Sequence, residues 1–153
     1  MRPCSSRGFT FVEMMVVLAI VALGAALAVP AIDAGLDARE VRRAARQIAA
    51  TMNYCRREAV ATGSMRRMRI SPDDNRIEAD DGSRWAVLTE RALIERIDGG
   101  WDAGFGKYDL AFFPNGSTSG AEVVVVSRRD RSRNRLRLVL DPLVGTVRVE
   151  DAG

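Results

Sequence analysis

One segment limits the possible folds more than any other. Residues 9–29, FTFVEMMVVLAIVALGAALAV, are apolar except for Thr10, Glu13 and Gly24. As an α-helix rising about 1.5 Å per residue, the run reaches about 30 Å, the thickness of a bilayer core. Arg2 and Arg7 precede it, and Asp33 and Asp37 follow it. That bias predicts a cytoplasmic N-terminus and an exported remainder. Glu13 is the residue out of place. A carboxylate at the centre of a bilayer costs about 2.5–3.5 kcal/mol, and less near an end. The residues leave three readings. One is a plain signal anchor that tolerates Glu13. Another is a cleaved secretory signal with its cut in GAALAVPA. In the third, a cut between Gly8 and Phe9 frees the α-amino group of Phe9, and in a filament of parallel helices that ammonium meets Glu13 of a neighbouring chain.

Composition removes several alternatives. The 153 residues suffice for one domain plus an appended segment. The formal charge is +3, but Arg2 and Arg7 lie ahead of the apolar run. Without them the charge is close to balanced, so the basic pI is a weak argument for nucleic acid. There is no histidine, which removes the commonest metal ligand and the commonest general base near neutral pH. Of the two cysteines, Cys4 precedes the apolar run, which leaves Cys55 without an internal disulfide partner once the leader is gone.

"RGFTFVEMM" resembles the class III signal of type IV pilins and type II secretion pseudopilins. The resemblance implies a leader over residues 1–8 that ends in Gly8. A prepilin peptidase cuts after Gly8 and methylates the new N-terminal Phe9, and Glu13 serves assembly. Phe11-Val12 replaces the family's usual pair of aliphatic residues. Pro30 falls where many members carry a helix-kinking proline, and it is expected to bend the chain rather than end the helix.

Past the apolar run, Val41, Ala44, Ile48, Met52, Cys55 and Ala59 recur at spacings of three and four. That is one apolar stripe on a helix. Arg39, Arg42, Arg43, Arg46, Arg57 and Glu58 fall largely off it. The helix is predicted from near Asp33 to Thr62, with Gly63 as its stop, and Cys55 reads as a small buried hydrophobe. From residue 64 onward short strands are expected over 65–70, 76–79, 85–88, 110–113, 122–126, 136–140 and 146–149. Residues 92–97 read as a strand or a short helix, and DGGWDAGFGK reads as a glycine-rich loop. SPDDN, ADDGS, PNGSTSG and DPLVG supply the turns. The architecture expected is α+β: a long N-terminal helix packed on an antiparallel sheet. Its parts are a leader over 1–8, a transmembrane half over 9–29, an amphipathic half over 30–63 and a β-rich domain over 64–153.

Motifs for chemistry fail on inspection. In GWDAGFGK the glycines are out of register for a phosphate loop, and Tyr108 stands where Ser or Thr is needed. DDNRIEADDG lacks the alternating oxygen ligands of a calcium loop. No nucleophile has a recognisable base, and neither cofactor nor metal is expected. The strongest charge feature is SRRDRSRNRLR, with Arg128, Arg129, Arg131, Arg133, Arg135 and Arg137 against Asp130. It reads either as a solvated loop whose last arginines alternate outward on a strand, or as a contact for an anionic partner.

"FFPNGSTSGAEVVV" and "LRLVLDPLVGTVRVE" resemble the C-terminal portion of the GspH/FimT family of minor pseudopilins. Phe113, Pro114, Asn115, Gly116 and Ser117 match one block; Gly145, Val147 and Val149 match the other. The resemblance implies a structural, non-enzymatic subunit of a type II secretion pseudopilus. It would be anchored in the bacterial inner membrane lipid with its domain in the periplasm. Its partners would be other minor and major pseudopilins and the prepilin peptidase. The alternative is a type IV pilin of FimT type that binds DNA in natural transformation. That branch uses a Gly-Arg-x-Arg motif. Here Gly145-Thr146-Val147-Arg148 keeps Arg148 and replaces the first arginine with Thr146.

Overall fold

The computed structural model describes residues 9–132 and 134–152, apart from the side chains of residues 27–34. Expectations for Gly8, for Arg133 and for the ring of Pro30 therefore fall outside the described residues. The chain divides into two units, Met1–Leu36 and Asp37–Gly153. Helix α1, Phe11–Thr62, begins in the first and ends in the second, and its backbone is helical through position 30.

In the first unit the side chains of residues 11–26 are all exposed. Among the described residues no helix is long and apolar enough to cross a membrane. The last residues of the 9–29 run are among the side chains not described.

In the second unit the expected stripe forms. Val41, Ala44, Ile48, Met52, Cys55 and Ala59 are each at most 2% exposed. The helix ends where Gly63 takes φ +64°, the left-handed conformation that terminates many helices. Nine strands are found among the described residues. They are β1 (Arg66–Ser71), β2 (Arg76–Ala79), β3 (Trp85–Val87), β4 (Ala92–Gly99), β5 (Trp101–Gly104), β6 (Lys107–Phe112), β7 (Ala121–Ser127), β8 (Arg135–Leu140) and β9 (Val147–Asp151). They form not one sheet but two. One is five-stranded, in the order β3-β2-β1-β6-β5; the other is four-stranded, in the order β4-β7-β8-β9. All described pairings are antiparallel. The helical stripe shares one core cluster with Met68, Ile70, Ile77, Leu110 and Phe112 of the first sheet and Val123, Val125, Leu136, Leu138 and Leu140 of the second.

The second sheet arises because the chain changes sheets three times: between β3 and β4, between β4 and β5, and between β6 and β7. It first leaves β3 at Val87 and enters β4 at Ala92. Asn75, the last residue of the SPDDN turn, holds that crossing. Its Nδ2 donates to the carbonyl oxygens of Ala92 at 2.7 Å and of Leu88 and Thr89 at 3.4 Å. Its Oδ1 accepts from the Ile94 N–H at 3.2 Å. Asn75 itself has φ +50°, which asparagine tolerates better than most residues. The chain changes sheets again at Gly99-Gly100. A Cβ on Gly100 would lie 2.6 Å from Leu110 Cδ2 and 2.9 Å from the Asp109 carbonyl oxygen, so only glycine lets the backbone pass. Hence the glycine-rich segment expected as a loop holds the end of β4 and all of β5. Residues 92–97 resolve as strand, with a register shift between Ile94 and Arg96.

Asn75→Ala leaves three carbonyls and a buried N–H with fewer partners, at a backbone conformation alanine resists. The expected loss is about 2–4 kcal/mol, read as a lowered denaturant midpoint with an unchanged slope.

Candidate functional site

The start of α1 is locally built. Thr10 caps the helix: its Oγ1 accepts the Glu13 N–H at 3.2 Å, and its carbonyl accepts the Met14 N–H at 3.2 Å. Thr-x-x-Glu is the spacing of a capping box. Glu13 lies in the first turn, where the positive end of the helix dipole favours a carboxylate. The acid thus has a local reason for its place as well as any partner. The Thr10 cap was missed in reading the sequence, although its spacing was visible. Among the described residues Glu13 has no ion-pair partner and its side chain is exposed, as are Phe9 at 72% and Phe11 at 81%. A row of apolar side chains with one carboxylate at its head is a surface that needs covering, by lipid or by similar helices.

The arginines of SRRDRSRNRLR do not form one surface. Arg135 and Arg137 alternate outward from β8 and are paired. Arg135 reaches Glu95 at 2.9 Å; Arg137 reaches Glu150 at 2.9 Å and Glu122 at 3.8 Å. Arg96 extends the row to Asp98 at 2.8 Å and Glu122 at 3.5 Å. Each exposed pair contributes little alone. Together their stems cover Val124, a residue of β7 on this outer face that is only 2% exposed. Arg128, Arg129 and Arg131 stand in the segment before β8, and Arg128 donates its backbone N–H to the Arg91 carbonyl. Arg148 is exposed on β9 opposite Val139, and its charge helps hold the Asp141 carboxyl below the usual range. The larger cause of that shift is the pair of backbone N–H groups of Val144 and Leu143, at 2.9 and 2.8 Å.

The two C-terminal motif blocks meet on the helix. Asn115 Oδ1 accepts from the Ser117 N–H and hydroxyl, closing the Pro-Asn-Gly turn. The Gly116 carbonyl accepts Arg56 Nε at 3.2 Å. Gly145, at φ +67°, is buried against the same pair: a Cβ there would collide with the Gly116 carbonyl oxygen and with Arg56 Nε and Cδ. The motif residues thus act in packing, by clasping the last hairpin to α1.

Cys55 lies in this domain's core. Burial pushes its thiol up to about 12, with the charges of Asp80 and Asp81 adding to the shift, so at neutral pH it is a packed thiol rather than a nucleophile. Among the described residues no group of three or more His, Cys, Asp or Glu is placed to hold a metal.

The family profile described as the prokaryotic N-terminal methylation motif matches residues 4–29, and that of the type II transport protein GspH matches residues 44–143. The type II secretion system protein H of Xanthomonas campestris pv. campestris is 33% identical over 131 residues, covering 83% of this chain and 75% of that protein. In fold the chain is similar to the minor pseudopilin EpsH of the Vibrio cholerae type 2 secretion system. That match has TM-score 0.59 and 17% identity, and covers 74% of this chain and 98% of that one. It is also similar to the Pseudomonas aeruginosa type IV minor pilin FimU, with TM-score 0.57 and 16% identity, covering 73% and 89%. At those identities both structures speak for the fold alone.

The clasp generates a test. Gly145→Ala forces a left-handed backbone on alanine and drives its methyl into a carbonyl oxygen that cannot swing aside. The expected cost is about 2–4 kcal/mol, measured by urea unfolding. The thiol generates another. A maleimide should label Cys55 orders of magnitude more slowly in the folded chain than in urea. Below about pH 9 the thiol is protonated in both states. Above it the unfolded chain ionises first, so stability should fall as pH rises from about 9 to about 12.

Proposed function

The chain belongs to the GspH family of type II transport proteins, and from that premise we propose how its parts serve a minor pseudopilin of the type II secretion system. The precursor inserts into the inner membrane through residues 9–29, with the N-terminus in the cytoplasm and the domain from residue 64 onward in the periplasm. A prepilin peptidase removes residues 1–8, cutting between Gly8 and Phe9, and Phe9 is methylated. The helix then leaves the lipid for the filament. There the exposed side chains of residues 11–26 pack on the helices of other pseudopilins, and the carboxylate of Glu13 pairs with the N-terminal ammonium of a neighbour. Pro30 gives the helix its bend. The chain is a structural subunit and a substrate of the peptidase, not a catalyst.

The observation that carries this reading is the head of α1: a capped helix whose apolar side chains are all exposed, with one carboxylate in its first turn. A charge in that position is costly alone and becomes favourable beside a cation in a low-dielectric bundle. The DNA-binding alternative loses support from the pairing of Arg135 and Arg137; among the described residues its exposed arginines are then Arg128, Arg129, Arg131 and Arg148.

Intact mass of the full chain, made with and without a prepilin peptidase, should differ by residues 1–8 and a methyl group. An unchanged mass rejects the cleavage. Glu13→Ala should still be cut yet enter the filament poorly, and normal incorporation would reject the pairing. A gel shift across a salt series should show no tight, Arg148-dependent DNA binding.

A further inference from the structure

The solvent face of α1 beyond residue 36 carries five arginines, four of them within residues 39–46. Arg39, Arg42, Arg43, Arg46 and Arg57 are exposed. At 3.6 residues per turn they fall within roughly a 100° arc, opposite the buried stripe, and extend over roughly 27 Å of helix. Glu40 and Glu58 lie to one side of that arc. Among the described residues, Arg43 alone of the five has an ion pair, to Glu40 at 4.0 Å, with the arginine 61% exposed. Such a contact contributes little. The contrast with the outer face of the second sheet is direct: there Arg96, Arg135 and Arg137 are matched by Asp98, Glu95, Glu122 and Glu150. Glu150 and Asp151 of β9 share a shallow groove with Arg42 and Arg46, but no ion pair within 4.0 Å joins them. Ala50 and Asn53 lie within the same arc and leave room between the arginines for another helix to approach.

We infer that this arginine stripe is the docking surface for an acidic helical face of another subunit, one that carries carboxylates at spacings of three and four residues. The inference rests on the pseudopilin reading above. In that reading the chain stands among other pilin-like subunits, and the stripe is a face that one of them can meet. Charge complementarity then selects which neighbour. A second copy presenting the same face would set arginine against arginine and is disfavoured. The linear, helix-spaced array fits a row of carboxylates on a rod. The stripe thus makes the subunit a hetero-partner by electrostatic exclusion of itself.

A photo-crosslinking amino acid at Ala50 of the full chain, in cells carrying its own secretion machinery, tests this. The expected product joins the chain to a different pilin-like subunit through a segment rich in Asp and Glu. The triple change Arg42→Glu, Arg43→Glu, Arg46→Glu should reduce that product about tenfold, and the triple lysine change should keep it. In extracts, the association should weaken between about 0.1 M and about 1 M salt, as the Debye length falls from about 10 Å to about 3 Å. A product with a second copy of the chain, with lipid or with nucleic acid would overturn the inference, and so would one indifferent to the charge reversal. A crosslinker at Val17 separates the two levels. Products at Val17 without products at Ala50 sink the stripe and leave the pseudopilin reading standing. No subunit captured from either position sinks both.

Discussion

The stripe Val41, Ala44, Ile48, Met52, Cys55 and Ala59 is the surface on which both sheets close. The two sheets share no strand and are held as one body by side chains rather than by ladder hydrogen bonds. Their cohesion is therefore hydrophobic burial, at about 0.8 kcal/mol for each buried methylene. The helix supplies small residues at Ala44, Cys55 and Ala59 and larger ones at Val41, Ile48 and Met52, so facing side chains from the two sheets interdigitate along it. Asn75 at the first sheet crossing and Arg56 at the last hairpin add polar contacts around that core.

Arginine shows how neighbours decide the role of one residue type. On the outer face of the second sheet, Arg135 and Arg137 lie among Glu95, Glu122 and Glu150 and shield the valines beneath them. At Arg56 a guanidinium is taken into the fold as a clasp between two turns. On the helix surface the same side chain makes, among the described residues, a single ion pair at 4.0 Å, from Arg43 to Glu40. Only the last arrangement leaves an electrostatic demand for another molecule to meet.

The helix was legible from its spacing, because a period near 3.6 survives wherever one face is buried. Most strands were legible too, since Leu136 and Leu138 alternate with Arg135 and Arg137. The division into two sheets was not. It depends on which strands pair across long separations, as β1 with β6 and β4 with β7, and no local pattern encodes that. The segment around Trp101 misled for a related reason: glycines that permit a sheet crossing look the same in sequence as glycines in an open loop. For the arginine run, residue type was visible but pairing was not, because Glu95, Glu122 and Glu150 are brought to it only by the register of β4, β7 and β9. The cap at Thr10 was legible in principle, overshadowed by the more conspicuous Glu13.

The strand order carries a consequence for timing. β1 waits for β6, β4 waits for β7, and the helix stripe finds its full cover only when β8 has arrived. A chain emerging N-terminus first therefore holds the helix stripe open while more than half of the molecule follows. Pairings between strands far apart in the chain form slowly. In the interval, the nascent subunit is a client for holding factors and a target for proteases.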